Sequence, residues 1–250
     1  MRSWLISAAL ALWLVVRVSS KSNSGQGNWP SALALFAYAA GFSFAYINLT
    51  AATGALLLFG AVQTTMSGFG IWRGERLLKL QLFGLVLALG GLIGLTLPGL
   101  SAPPLASSLL MIGAGIAWGI YSLRGKGAGD PTLVTAGNFL RTVPITLALS
   151  ILMAAQISWD SAGILYAIMS GAVTSGMGYA IWYKALPALK ATQAATVQLS
   201  VPVITAIGGI VLLGEPLTLR LVLASIAIIS GIALVILERK KSRGVQQGEG

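Results

Sequence analysis

The sequence contains no cysteine and no histidine. The first absence excludes disulfides, thiolate catalysis and cysteine-based zinc or iron–sulfur sites. The second removes the commonest general base and metal ligand. Only six acidic residues occur in 250: Glu75, Asp130, Asp160, Glu215, Glu238 and Glu249. No two lie close enough in sequence to form an obvious carboxylate pair, so a membrane-embedded enzyme has few parts to work with, and no resident cofactor or metal is implied. Charge of either sign is scarce, at 9% against about 25% in a soluble domain. Such a surface cannot face water all round.

What is abundant is apolar sequence, 56% of the chain. The apolar runs are continuous and lack a period of two, which excludes a transmembrane β-barrel. Nine segments can be drawn: 4–16, 31–47, 52–71, 78–97, 105–123, 132–154, 162–183, 191–213 and 219–237. Most approach the roughly 20 residues that a helix needs to cross the hydrocarbon. The expected fold is therefore an all-α integral membrane protein of about nine transmembrane helices. Residues 1–20 also admit a second reading, as a signal peptide, although Arg17 interrupts the small-residue cleavage pattern.

The net charge of +10 is not the footprint of a nucleic-acid binder, because no basic face interleaved with aromatics occurs. The basic residues instead alternate between the links. Arg17, Lys21, Arg73, Arg76, Lys79, Arg124, Lys126, Lys184, Lys190 and the tail residues Arg239, Lys240, Lys241 and Arg243 fall on one side. Arg2 and Arg220 fall on the other, and Arg141 lies inside a segment. The positive-inside rule then places the C-terminal tail in the cytoplasm and the chain in the cytoplasmic (inner) membrane. The polar stretch after Leu237 is expected to lack regular structure.

The chain also repeats itself. Gly41-Phe42-x3-Tyr46-x2-Leu49 reads like Gly178-Tyr179-x3-Tyr183-x2-Leu186. Gly74-Glu75-x-Leu77 reads like Gly214-Glu215-x-Leu217, and Thr53, Gly91 and Arg2 match Thr192, Gly231 and Arg141. These pairs are separated by 137 to 140 residues. Residues from about 109 to 140 have no partner, so the first copy is expected to lack its first helix. Two repeats follow: 1–100 with four helices and 101–238 with five, ahead of a basic tail at 239–250. Five is odd, so the second copy enters the membrane inverted, the usual build of a secondary transporter.

Several residues within spans are candidates for a substrate cavity: Gln63, Trp118, Asn138, Arg141, Tyr179 and Gln198. A cavity in a helical bundle needs apolar walls and a few hydrogen-bonding groups. Arg141 is the sharpest, because a mid-membrane Arg costs about 2.5–3.5 kcal/mol on insertion scales. It either faces a substrate path, sharing a face with Asn138, or snorkels from a helix that begins near Phe139. Tyr121, Trp182 and Tyr183 near segment ends read as interfacial aromatics. Glu75 and Glu215 each follow a Gly that suits a helix C-terminus, and each sits where it can favour the dipole of the helix that follows. A proton-coupling role for them is the alternative. Pro144 and Pro202 can kink their helices. Gly84-x3-Ala88, Gly90-x3-Gly94, Gly115-x3-Gly119 and Gly171-x3-Ser175 offer smooth faces for close helix packing, or for sliding.

The run Ala51–Gln63, then Gly74-Glu75-Arg76-Leu77, resembles the EamA-type members of the drug/metabolite transporter superfamily. In the second half Tyr183-x-Ala185-Leu186, Pro202-Val203, Gly214-Glu215-Pro216-Leu217 and Gly231 resemble it too. The resemblance implies ten helices in two inverted repeats and movement of a small metabolite or drug-like solute across the membrane by alternating access. It transfers no ligand-binding residue. Its implied partners are a small-molecule substrate and the lipid bilayer, with a homodimer left open and no nucleic acid. A non-transporting fragment or assembly subunit is the rival reading, on the ground of the unpartnered helix.

Overall fold

The computed structural model describes residues 27–49, 51–96, 103–153, 165, 169–201, 203–204 and 218–247. The segment expected at 4–16, with Arg2, and the Gly214-Glu215 turn, Asp160 and Pro202 lie outside them. Every described element is a helix or a turn. The helices are α1 Trp29–Ala45, α2 Ala51–Trp72, α3 Lys79–Thr96, α4 Leu105–Gly125 and α5 Pro131–Leu152. A π-helical stretch, Met169–Met177, runs into α6 Gly178–Ala185 and a 3-10 turn, Leu186–Ala188. Then follow α7 Ala191–Gln198 and α8 Leu219–Gln247. The expected ends of the segments at 52–71, 78–97 and 105–123 agree with α2, α3 and α4 to within two residues.

The last helix does not stop where the apolar run does. It continues through Gln247, whereas the tail was expected to be irregular. Glu, Arg, Lys and Gln are good helix formers, and adding residues to an existing helix avoids the cost of nucleation.

The chain divides into two compact units, each drawn from two stretches of sequence: 1–47 with 109–189, and 48–108 with 190–250. In the first unit, α1 packs on α5, and α5 on α6. Asn28 starts α1 by accepting the Ser31 amide at 2.9 Å, with Pro30 in the first turn. Asp130 starts α5 the same way, accepting the Leu133 amide at 2.8 Å, with Pro131 behind it. Six consecutive α5 residues, Val134 to Phe139, are buried, so this helix is covered all round at that level. Further along, Thr142, Thr146 and Ser150 donate to backbone carbonyls of the preceding turn, around Pro144. Both devices bend helices.

In the second unit, α3 lies along α8, and α2 packs on α7. The α3–α8 seam is built on small residues. A Cβ added at Gly84 would lie 2.7 Å from the Gly231 carbonyl oxygen, and one at Gly91 would lie 2.9 Å from the Ala224 carbonyl oxygen. Ala88, Leu92 and Ile228 complete the seam with Leu199 and Val203. Small side chains face inward on α3, and Leu82, Phe83, Val86 and Ile93 face outward. That order suits lipid, where close backbone approach replaces hydrophobic burial as the driving force. Gly90 and Gly94, which carry the same spacing, have nothing within 4 Å of an added Cβ.

Two described helices, α4 and α5, are long and apolar enough to cross a membrane on length and composition alone. Trp72 is 77% exposed at the end of α2, and the Arg73 guanidinium lies 5.6 Å from its ring centroid. Such an aromatic–cation pair is a usual anchor at a membrane surface.

Candidate substrate-binding cluster

In the first unit an aromatic cluster forms where α1, α4, α5 and α6 meet. The Trp118 ring lies 4.9 Å from Tyr38, 4.9 Å from Tyr179 and 5.7 Å from Tyr121. Tyr179 also meets Phe139 at 5.4 Å. Tyr121 stacks on Tyr183 at 4.8 Å. These are ordinary aromatic contact distances, and the rings come from four different helices. Tyr38, Phe42 and Tyr46 repeat every four residues along α1 and touch in sequence, so one aromatic stripe feeds the cluster.

Tyr183 is held from two directions. Its hydroxyl donates to the Tyr121 carbonyl oxygen at 2.9 Å, and its ring covers Gly125, where a Cβ would collide with it. The neighbouring Trp182 donates its indole N–H to Ser122 Oγ at 3.0 Å. Tyr121 is fully buried and Tyr183 is 2% exposed. Their expected place at a lipid interface is therefore wrong. Position near a segment end suggested the interface, but ring stacking and the tyrosine hydrogen bond draw both side chains inward.

Polar groups enter the cluster through Asn138. Its Oδ1 accepts the Asn28 backbone N–H at 3.0 Å. Asn28 Oδ1 in turn accepts from Arg124 Nη2 at 3.1 Å, while Arg124 Nε donates to Ser31 Oγ at 3.0 Å. The start of α1 is thus tied to α4 and α5 through one short network. Gly27 fits against Asn138 with φ +109, and a Cβ there would lie 2.8 Å from Asn138 Oδ1. On both the backbone angle and the space, only glycine suits that position.

Arg141 stands at mid-length in α5, because the helix begins at Pro131 and not near Phe139. Its Nη1 donates to the Gly137 carbonyl oxygen at 2.8 Å, so the half-buried guanidinium folds back toward the start of its own helix. Trp118 and Tyr179 come together, and Asn138 joins them beside Tyr121.

Gln63 and Gln198 belong to the second unit. Both are buried, at 4% and 7% exposure. Gln63 Nε2 donates to Ser67 Oγ at 2.8 Å. Gln198 Nε2 reaches Met66 Sδ and the Ala194 carbonyl oxygen, each at 3.3 Å. The two glutamines therefore sit within about a turn of each other along the α2–α7 contact.

Glu75 does something the sequence did not suggest. Gly74, at φ +85, closes α2 as expected. The Glu75 carboxylate, however, does not serve α3. It accepts the Ala191 amide at 2.9 Å, the Thr192 amide at 3.2 Å and the Thr192 hydroxyl at 2.9 Å. It caps the start of α7, where free N–H groups and the positive end of the helix dipole favour an anion. Among the described residues no group of His, Cys, Asp or Glu could hold a metal.

The profile of the EamA-like transporter family matches residues 105–237. The chain belongs to that family. It is a multi-pass membrane transporter of small solutes and an EamA-type permease of the drug/metabolite transporter superfamily. A Pseudomonas aeruginosa protein of uncharacterised function is 52% identical over 236 residues, 94% of this chain and 82% of that protein. The threonine/homoserine exporter RhtA of Escherichia coli is 30% identical over 143 residues, 56% of this chain and 48% of the exporter. A protein of known crystal structure superposes with a TM-score of 0.80 at 17% identity, over 94% of this chain and 86% of its own. That likeness shows a shared fold.

Proposed function

We propose that this EamA-family permease is a secondary transporter that exports a small, polar metabolite across the cytoplasmic membrane by alternating access. The observation that carries the reading is the cluster of buried Tyr121 and Asn138 with half-buried Trp118 and Tyr179, inside helices whose outer faces are apolar. A bundle that needed only to fold in lipid would fill this position with aliphatic side chains. Three aromatic rings with an amide among them supply flat apolar walls and hydrogen-bonding groups at one place, which is what a small solute requires.

The export direction and an amino-acid-like solute are supported by the printed activity of the RhtA relatives. The inverted repeats, 1–100 and 101–238, supply the two half-units that alternating access uses. No acid–base or metal chemistry is part of this reading, because the cluster contains no carboxylate, imidazole or thiol.

The test is transport into inverted membrane vesicles carrying the full chain, with radiolabelled L-homoserine and L-threonine as probes and an imposed proton gradient. Uptake above that of vesicles without the protein is expected. Trp118→Ala and Tyr179→Ala are expected to reduce it at unchanged protein level. Uptake equal to the empty vesicles across both probes and a wider amino-acid panel would remove the exporter reading.

A further inference from the structure

The turn between α2 and α3 carries Arg73, Arg76 and Lys79, and all three are exposed. Lys190, also exposed, stands beside this turn, because the Glu75 carboxylate accepts the amide of the next residue, Ala191, at 2.9 Å. Glu75 is the only carboxylate among the described side chains of this unit, and the start of α7 occupies it. Four cations therefore share one end of the unit with a single committed anion. The last helix adds to the same end. Near the start of α3, Gln81 Nε2 donates to the Val235 carbonyl oxygen at 3.4 Å. From there α8 continues through Gln247, over a stretch whose sequence holds Arg239, Lys240, Lys241 and Arg243.

The positive-inside rule asks only for positive charge near helix ends. It does not ask for what surrounds Arg73. The Arg73 guanidinium lies over the Phe69 ring at 5.3 Å and over the Trp72 ring at 5.6 Å. Such stacking restrains the planar group and leaves its in-plane N–H donors free for an anion. Phosphate is an anion that a guanidinium matches with paired hydrogen bonds. Beyond Lys79, α3 turns Leu82, Phe83 and Val86 outward, each more than half exposed. A cluster of cations thus runs on into an apolar stripe along one helix. A free phosphate would use only the cations, and an acidic protein or a nucleic acid would leave the stripe uncovered. A charged lipid uses both.

We infer that the α2–α3 turn binds the phosphodiester of an anionic phospholipid. Arg73 and Arg76 hold the phosphate, and Lys79 and Lys190 supply further positive charge. The acyl chains lie along Leu82, Phe83 and Val86, with exposed Trp72 at the level of the headgroup. The site takes a lipid and not the transported solute, so it stands whether or not the transport reading does.

The experiment uses the full chain purified in dodecyl maltoside and reads the thermal unfolding midpoint as lipid is titrated in mixed micelles. Dioleoylphosphatidylglycerol is expected to raise the midpoint in a saturable way. Dioleoylphosphatidylcholine has the same chains and no net charge, and is expected not to raise it at the same concentrations. Neither is sn-glycerol 3-phosphate, which has the phosphate without the chains. Arg73→Gln, Arg76→Gln and Lys79→Gln are each expected to raise the half-saturating phosphatidylglycerol concentration about fivefold, the contribution of one basic residue at an anionic surface. Lys184→Gln removes an equal charge from the other unit and is expected to leave that concentration unchanged.

A second measurement needs no variant. Raising sodium chloride from about 0.05 M to about 0.5 M screens exposed charges and is expected to weaken phosphatidylglycerol binding to the parent protein. Equal shifts with the two lipids, an equal loss in Lys184→Gln, or binding indifferent to salt would overturn the inference. So would a shift with sn-glycerol 3-phosphate equal to that with the lipid, which would make the site one for soluble phosphates.

Discussion

The carboxylate of Glu75 lies 2.9 Å from the hydroxyl of Thr192, across 117 residues of sequence. With the two backbone amides it also accepts, it fixes where α7 begins relative to the α2–α3 turn. Gly70 makes room for it: a Cβ there would lie 2.6 Å from Glu75 Oε2 and 3.1 Å from Thr192 Cγ2. A glycine, a glutamate and a threonine thus form one joint in the second unit.

Glu75→Ala should lower stability by about 1–2 kcal/mol, the usual cost of losing a helix cap. Thr192→Val should cost about 1 kcal/mol, one hydrogen bond. The double variant should cost less than the sum, because both changes remove the same contact. Thermal unfolding of the four proteins in detergent measures the coupling. Strict additivity would show that the two side chains act independently.

Gly231→Ala should lower stability by about 1–3 kcal/mol, the cost of forcing a methyl into a packed seam. The added atom would lie 2.8 Å from the Ala88 nitrogen and would also meet the Gly84 carbonyl oxygen. Gly90→Ala and Gly94→Ala meet nothing and should be neutral or stabilising by up to about 1 kcal/mol through helix propensity. Equal losses at all three positions in unfolding experiments would contradict the packing described for α3 and α8.

Tyr183→Phe should cost about 1 kcal/mol, since its hydroxyl is satisfied by the Tyr121 carbonyl. The unfolding midpoint in detergent measures it, and an unchanged midpoint would show that this hydrogen bond adds nothing to stability.

Arg141→Gln should leave the amount of protein in the membrane unchanged and raise the concentration for half-maximal transport of a carboxylate. The guanidinium sits one turn after Asn138 and donates to the Gly137 carbonyl, so a positive charge stands at mid-length on a helix that contributes to the candidate cluster. Unchanged transport kinetics would confine Arg141 to its own helix.

A C-terminal fluorescent protein fused after Arg243 should fluoresce, and a phosphatase active only outside the cytoplasm should be silent at the same position. The expectation follows from the positive-inside rule applied to the basic residues of the tail and of the links on the same side. The opposite pair of signals would reverse every link.

The membrane class and the course of α2 to α5 could be read from the sequence alone, because continuous apolar runs, terminal glycines and capping residues are local. Asn28 and Asp130 start their helices through the amides three residues on, and Gly74 ends one through its own backbone angle. The charge alternation is also carried by the one-dimensional order of residues. Trp118, Asn138 and Tyr179 could be singled out because polar and aromatic residues are conspicuous within apolar spans.

Which residues meet was decided only by tertiary structure. Glu75 could serve the dipole of any nearby helix, and distance along the chain favoured α3, yet packing brought the start of α7 to it. Tyr121 and Tyr183 carry the chemistry of an interfacial residue and of a buried one equally well, and stacking against a facing helix settled it. Gly84-x3-Ala88 and Gly90-x3-Gly94 share one spacing, yet of their three glycines only Gly84 has a neighbouring backbone against it. The bond from the Asn28 backbone to the Asn138 amide, across 110 residues, could not be foreseen either. Whether a polar atom is satisfied depends on every group around it in space, and a sequence specifies those groups without specifying their distances.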